Sequence, residues 1–426
     1  MLENSRRSEQ QRQGYCVITT EQLHRVLAAI DGDYIVDLTR QLVRIRSVYE
    51  PGVPGANEEA AARLVAQELR DLGLEVHVQE VAPGRPNVIA DWTGDAAGPC
   101  LLFEGHTDVV TEGDPALWTY PPFEARLTDG RIYGRGAADM KGGIAAAIGA
   151  VRALMASGVP FPGRVRLAIL VDEEDLMLGV KHFIRSGWAE GVDGAIICEP
   201  EENEVCLTQK GAMRVRVTFT GAMAHGAMPQ AGVNPIPWAA HFVQAVGELE
   251  RALVARHGRH PHLGWPSVTP TIVRAPASGP AQLNVIPATA EVYLDIRTVP
   301  GIDHAALAGE LRAILEAIRR DDGRMRAELD VFEERPWTET SPEAPVARAV
   351  AEAVRLATGR EPVYGGVPGA TDGTFLHAWA GIPIVTLGPG DRLIPHQVDE
   401  YVAVDELIEA ARIYAAAALV FMHQGR

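Results

Sequence analysis

At 426 residues the chain is too long for one ordinary hydrophobic core, and two domains are the natural expectation. With 47% hydrophobic and only 22% charged residues it can bury such cores, so it reads as globular. A formal net charge of −17 argues against nucleic acid as a main partner, because a phosphate-binding surface needs excess Lys and Arg; an anionic small molecule held by one or two local cations is still compatible with it.

Residues 1–18 are polar and predict a disordered tail without the apolar centre of a signal peptide. No run of about 18 apolar residues occurs, so no membrane span is expected, and a soluble, cytoplasmic protein is the reading. Cys16, Cys100, Cys198 and Cys206 form no C-x-x-C pair and read as inert thiols.

Helical periodicity runs over residues 20–45, with Leu23, Val26, Leu27 and Ile30 at three- and four-residue steps. A second amphipathic helix covers 57–72 and closes at Gly73. Strands are predicted at 74–80, 87–92, 100–105 and 130–133, then a helix at 144–156. The apolar runs 164–171 and 194–198 read as strands buried on both faces, with a helix at 179–187 between them. This βαβ rhythm predicts a three-layer α/β domain with a mainly parallel sheet.

Near Gln209 the pattern changes. MRVRVTFT (213–220) alternates cleanly, and helix 235–256, strands 269–274 and 290–297, helix 304–319 and strand 326–334 follow. That β-α-β-β-α-β order predicts a ferredoxin-like α+β insert. After Arg335 the first pattern resumes, with helix 345–358, strand 381–387 and helix 405–422. The domains are therefore 19–208 joined with 336–426, interrupted by 209–335.

The chemistry gathers at strand ends. In YGRGAADMKGG, Asp139 stands after a short strand and before a helix, where open α/β sheets place ligands, and a carboxylate has two oxygens with which to bridge two cations. GHTDVV puts His106 directly after an apolar strand. Asp108, two residues on, points to the other side of an extended chain and so suits support of His106 rather than a place beside it on the same ion. Asp172, Glu173, Glu174 and Asp175 leave the end of strand 164–171, and Glu199 leaves strand 194–198. Alone, such acids read as solvated turns; on one sheet edge their repulsion calls for cations. His396 follows the strand ending at Leu387 and a Gly-Pro-Gly turn, whereas His257, His260 and His262 read as a solvated loop and His377 as part of a helix.

Imidazole and carboxylate without thiolate suit zinc, cobalt or manganese in an open catalytic site. Two ions sharing a carboxylate, about 3.5–4 Å apart, activate a water and polarise a carbonyl, and a carboxylate beside that water but off the metal serves as general base.

GHTDVV, YGRGAADMKGG, DEE, the strand-end CEP and PHQVDEYV together closely resemble the dinuclear zinc amidohydrolases and exopeptidases, the family of succinyl-diaminopimelate desuccinylase, acetylornithine deacetylase and glutamate carboxypeptidase. The resemblance covers nearly the whole chain after about residue 30, insert included. It implies two divalent ions, zinc first. His106, Asp139 and Glu199 would hold one, and Asp139, Glu174 and His396 the other. Glu173 would be the base, Asp108 the support of His106, and the Asp139–Met140 peptide cis. The insert would be a lid through which the protein forms a homodimer, with His225 reaching a neighbouring active site to steady the oxyanion. Asn284 and Arg297 would grip a substrate carboxylate, although Arg297 could equally cap its own strand through Asp295. The loop 365–373, with Gly369 and Thr371, would lie against the substrate or be a plain turn.

One departure is that Asp175-Leu176-Met177-Leu178 stands where many relatives continue with glycines, which touches the pocket wall and not the ligands. The expected function is hydrolysis of an amide C–N bond in a small N-acyl amino acid or dipeptide-like substrate bearing a carboxylate. The alternatives are hydrolytic deamination of an amino-substituted acid, or a metal-free homologue that only binds.

Overall fold

In the computed structural model, which describes residues 18–424, the helical periodicity of residues 20–45 divides into two helices, Thr20–Ala28 and Gly32–Val43. The break falls at Asp31, whose side chain accepts the Tyr34 N–H and caps the second helix. A short acid there competes for backbone N–H groups and begins a new helix instead of continuing the old one. Residues 1–17 of the expected tail, Cys16 among them, lie outside the described residues.

The chain forms two compact units, one of residues up to 207 with 340–365 and 371–426, the other of 208–339 with 366–370. In the first, the main sheet runs in spatial order Glu75–Ala82, Arg85–Thr93, Pro162–Leu170, Ala96–His106, Gly194–Ile197, Ile384–Thr386, Val205–Gln209. The four strands from Pro162–Leu170 to Ile384–Thr386 are mutually parallel. On either side of them the pairing turns antiparallel, so the sheet is mixed and its parallel part is confined to the centre.

Successive residues of the central strand face opposite layers, as the two-residue strand period requires. Leu101 and Phe103 pack with the helices Gly32–Val43, Gly142–Ser157, Pro345–Thr358 and Val404–His423. Leu102 packs instead with Phe183 of helix Leu178–Arg185 and with Phe375 and Leu376 of helix Gly373–Ala380. Burying each such Leu or Phe contributes about 1.5–3 kcal/mol. These two apolar faces make the three-layer α/β architecture. The closing helix is buried along its alanines, and its Tyr414 hydroxyl donates to the Leu387 carbonyl at 2.7 Å, tying it to the sheet.

Val205–Gln209 and Tyr364–Val367 form strands where the sequence pattern predicts none. The first is only five residues long, and the second carries two glycines, which disfavour strands in isolation. It occupies the start of the predicted loop 365–373.

The second unit holds a four-stranded antiparallel sheet, ordered Ser267–Arg274, Thr289–Thr298, Gly211–Thr220, Ala327–Arg335. In chain order those are its second, third, first and fourth strands, the ferredoxin-like arrangement. Val215, Val217 and Phe219 face helices Ile236–His257 and His304–Asp321, while Arg214 and Arg216 point to the open side, where they pair with Glu333 and Asp330. No helix among the described residues is long and apolar enough to cross a membrane.

Candidate metal centre

The four parallel strands end on one edge of the sheet, and each leads into a candidate ligand. Ala96–His106 finishes at His106, with Pro162–Leu170 leading to Glu174 on one flank and Gly194–Ile197 to Glu199 on the other. Ile384–Thr386, beyond the latter, leads through a loop to His396. Asp139 enters from the turn Ala137–Lys141 ahead of helix Gly142–Ser157, and its bond to Met140 is cis.

These side chains meet. His106 Nε2 lies 3.2 Å from Asp139 Oδ1 and 3.5 Å from Glu199 Oε1. His396 Nε2 lies 3.3 Å from Asp139 Oδ2 and 3.0 Å from Glu174 Oε2. Asp139 thus gives one oxygen to each of two triads, His106–Asp139–Glu199 and Asp139–Glu174–His396, whose donor atoms lie within 4.8 Å of one another. Donors bound tetrahedrally to zinc at about 2.0–2.1 Å stand roughly 3.3 Å apart, so the spacing suits a shared ion.

The electrostatics fit cations as well. Burial, followed by the charge of Asp139, pushes Glu174 up to about 7 and raises Glu199. Hydrogen bonding to Asp139 and Glu174 raises His396 to about 10, because two carboxylates crowd one imidazole nitrogen. His106 Nε2 is buried and makes no hydrogen bond, although two carboxylates converge on it. Carboxylates crowded around an orphaned imidazole nitrogen are a donor set that could hold a divalent ion.

Around the donors lies a supporting layer. Asp108 accepts from His106 Nδ1 through its carbonyl at 3.0 Å and from the Glu174 N–H through Oδ2 at 3.0 Å, so it holds members of both triads. Glu400 accepts the N–H groups of Ala138 and Asp139 and pairs with Arg135 at 2.6 Å, all in the interior. Sequence reasoning passed over Glu400, although it belongs to PHQVDEYV; the signal was an acid beside an apolar strand, Tyr401–Ala403, where a solvated position would be usual. Gly143 and Gly388 let the helix start and the His396 loop approach the Cys198–Glu199 backbone. A Cβ on Gly143 would stand 2.0 Å from the Cys198 carbonyl oxygen, and one on Gly388 would stand 2.6 Å from it.

Glu173 is buried but belongs to neither triad. Burial, reinforced by Glu199 and Glu174 against the opposing pull of His106, holds its carboxyl well above the ordinary range, and it is not spent on a ligand position. Thr371 is buried in the first unit, and its hydroxyl accepts the Gly373 N–H at 3.2 Å. Leu176 is exposed and Met177 fully buried, so the departure from glycine fills space inside as well as outside.

The remaining predicted residues belong to the second unit. His225, exposed, pairs with Val285 in a two-stranded ribbon, and its Nδ1 accepts the Ala227 N–H at 3.0 Å, which leaves the proton on Nε2. Asn284 sits beside it, its carbonyl accepting the Gly226 N–H at 2.7 Å. Gly369 is half-buried. Arg297 is gripped by Asp295 at 2.7 and 3.1 Å, which is the strand-capping alternative. His260 faces Glu339 at 3.4 Å and His377 bonds the Ile382 carbonyl at 3.2 Å; neither enters a triad.

A model of peptidase family M20/M25/M40 matches residues 102–420. A succinyl-diaminopimelate desuccinylase of Phenylobacterium zucineum is 33% identical over 411 residues, covering 91% of this chain and 98% of its own length. Among solved structures, the di-peptidase Dug1p of Saccharomyces cerevisiae shares the fold at a TM-score of 0.75 and 17% identity, over 96% of this chain and 100% of that one. YXEP of Bacillus subtilis, described as a dinuclear metal binding peptidase, does so at 0.67 and 18% identity, over 92% and 98%.

Proposed function

The chain belongs to peptidase family M20/M25/M40 and is a metal-dependent hydrolase of amide C–N bonds; from that premise we propose that it removes the acyl group from a small N-acyl amino acid. The observation that carries this reading is the sharing of Asp139 between two triads, with a buried carboxylate, Glu173, left over beside them. An N-succinyl diamino acid is the first substrate to test, since the relatives at about a third identity are named for it.

In this proposal His106, Asp139 and Glu199 would hold one ion, and Asp139, Glu174 and His396 the other. Nitrogen and oxygen donors without thiolate favour zinc, with cobalt and manganese next. When bound, the pair supplies Lewis acidity toward water and the scissile carbonyl. The chain's own residues do the rest. Glu173 takes a proton from the attacking water at its carboxylate and returns it to the departing nitrogen. Asp108 orients the His106 ring, and Glu400 fixes the backbone that presents Asp139. His225, with its proton on Nε2, donates to the oxyanion. Arg297 and Asn284 would grip the substrate's carboxylate, and the loop 365–373, with Gly369 and Thr371, would lie against the substrate.

The residues 209–335 act in this reading as a lid and as the surface of a homodimer, and 19–208 with 336–426 as the catalytic domain. Three buried, unpaired cysteines, Cys100, Cys198 and Cys206, suit the reducing cytoplasm. The experiment is a hydrolysis panel of N-succinyl, N-acetyl and N-carbamoyl amino acids and dipeptides on the zinc-loaded enzyme, with ammonia followed beside amine. Amine release from an N-acyl amino acid is expected; ammonia release with the acyl group retained would replace this reading with deamination.

A further inference from the structure

The acidic turn that carries Glu173 and Glu174 is built around a charge cluster which the reaction itself does not use. Arg85, the first residue of strand Arg85–Thr93, is 3% exposed. Its guanidinium lies 3.6 Å from the centre of the Tyr49 ring. It faces two carboxylates that are themselves buried. Glu58 is met by Nε at 2.9 Å and by Nη2, and Asp172 Oδ1 is met by Nη1 at 2.6 Å. Stability alone is a poor reason for such a triad, because apolar residues of similar volume often serve a fold as well or better.

Its place in the chain supplies the reason. Asp172 leaves its strand with φ +69°, a left-handed conformation that costs a residue with a Cβ about 1 kcal/mol. Its side chain then organises the turn: Oδ2 accepts the N–H groups of Leu176 and Leu178, each at 3.2 Å, and its carbonyl accepts that of Met177 at 2.6 Å. Residues 172–178 are thereby curled about one carboxylate, and Glu173 and Glu174 belong to the curl. A second post is the Glu174 N–H, which donates to Asp108 at 3.0 Å. Arg85 meets the carboxylate at the centre of the curl, and Lys181 Nζ donates to the Leu176 carbonyl at 2.7 Å.

The geometry points to Arg85 as a positioning residue for the Glu173–Glu174 turn, acting through Asp172. Its guanidinium holds the Asp172 carboxylate inside the turn, and in doing so fixes where the base and one ligand stand. This rests on the roles proposed above for Glu173 and Glu174.

The test uses the full zinc-reconstituted chain with Asp172→Asn, Arg85→Lys and Arg85→Met, beside Glu173→Gln as reference. The readouts are kcat and KM on the N-acyl amino acid the panel selects, zinc per chain at limiting free zinc, and melting temperature. Asp172→Asn retains an oxygen for the Leu176 and Leu178 N–H groups and tolerates φ +69° but turns its NH2 toward Arg85, so every variant is compared with the parent at a temperature where its own melting curve shows it folded. The kcat of Asp172→Asn is expected to fall about 100-fold with KM little changed, the signature of a misplaced group. Affinity for one of two zinc ions is expected to fall about 10–100-fold. Arg85→Lys, which can meet only one of the two carboxylates, falls between the parent and Arg85→Met.

Parental kcat and zinc binding in both Asp172→Asn and Arg85→Lys would overturn the inference. So would losses that vanish at temperatures where the variants are fully folded, since those mark a packing role alone. Turnover retained by Glu173→Gln strikes at the proposed base instead, and zinc binding by Asp172→Asn then still decides the positioning role.

Discussion

Glu400 holds Asp139 from behind: one carboxylate oxygen of Glu400 accepts both the Ala138 and the Asp139 N–H, at 3.0 and 3.1 Å, and the other takes Arg135. The residue that serves both triads is thus placed by its backbone as well as by its side chain. Because Glu400 lies four residues after His396, one segment supplies a donor and steadies another.

Glu400→Gln keeps an acceptor for the two amides but turns an NH2 group toward Arg135. We expect affinity for both ions to fall about 10–100-fold, as other supporting contacts around metals do. Glu400→Ala, which strands a buried Arg135, is expected to cost about 3–5 kcal/mol of stability. Isothermal zinc titration and denaturant unfolding check the two numbers; a Gln variant with parental affinity would remove Glu400 from the account.

Gly143→Ala puts a methyl 2.0 Å from the Cys198 carbonyl oxygen, and neither partner is a flexible side-chain end. The backbone must move, which is expected to cost about 1–3 kcal/mol. Since Glu199 follows Cys198, zinc binding should weaken alongside melting temperature. Loss of stability with unchanged zinc affinity would show that the Glu199 segment is not set by this approach.

Glu173→Gln is expected to lower kcat by about 10²–10⁴-fold, the usual range for a general base, with zinc content near that of the parent. Metal analysis and single-turnover rates on one preparation separate the two roles an acid here could play. If zinc is lost along with activity, Glu173 is a ligand and not the base.

His225→Ala is expected to cut kcat by about 10²–10³-fold, as removal of one oxyanion donor does, while leaving melting temperature in place because the side chain is exposed. Mixing it with a Glu173→Gln chain tests action across a dimer. Recovery of activity in the mixture is expected if each chain lends its His225 to the other, and no recovery if it serves its own site.

Much of the fold is written in local pattern. The period-two run MRVRVTFT and the apolar runs ending at His106 and Ile197 determine their strands almost alone, because alternation or continuous burial leaves few other solutions. Tyr364–Val367 was illegible because its glycines carry no propensity and only the neighbouring chain gives it a partner. The triads follow from strand ends and motif resemblance together. The supporting layer does not: Arg85 and Asp172 are 87 residues apart, and Arg135 and Glu400 are 265 apart, so only the folded chain makes each a pair. Arg297 shows the converse, since both of its readings were visible in the sequence and only coordinates show Asp295 in its grip.

The central claim is that Asp139 bridges two ions. Chelation should abolish amide hydrolysis and zinc, cobalt or manganese restore it, but the most direct measurement is anomalous diffraction at the zinc edge from crystals of the reconstituted enzyme. The account predicts two peaks about 3.5–4 Å apart, each within bonding distance of a different Asp139 oxygen, one between His106 and Glu199 and one between Glu174 and His396. Zinc found only elsewhere, or a pair of ions that Asp139 does not touch, would contradict it.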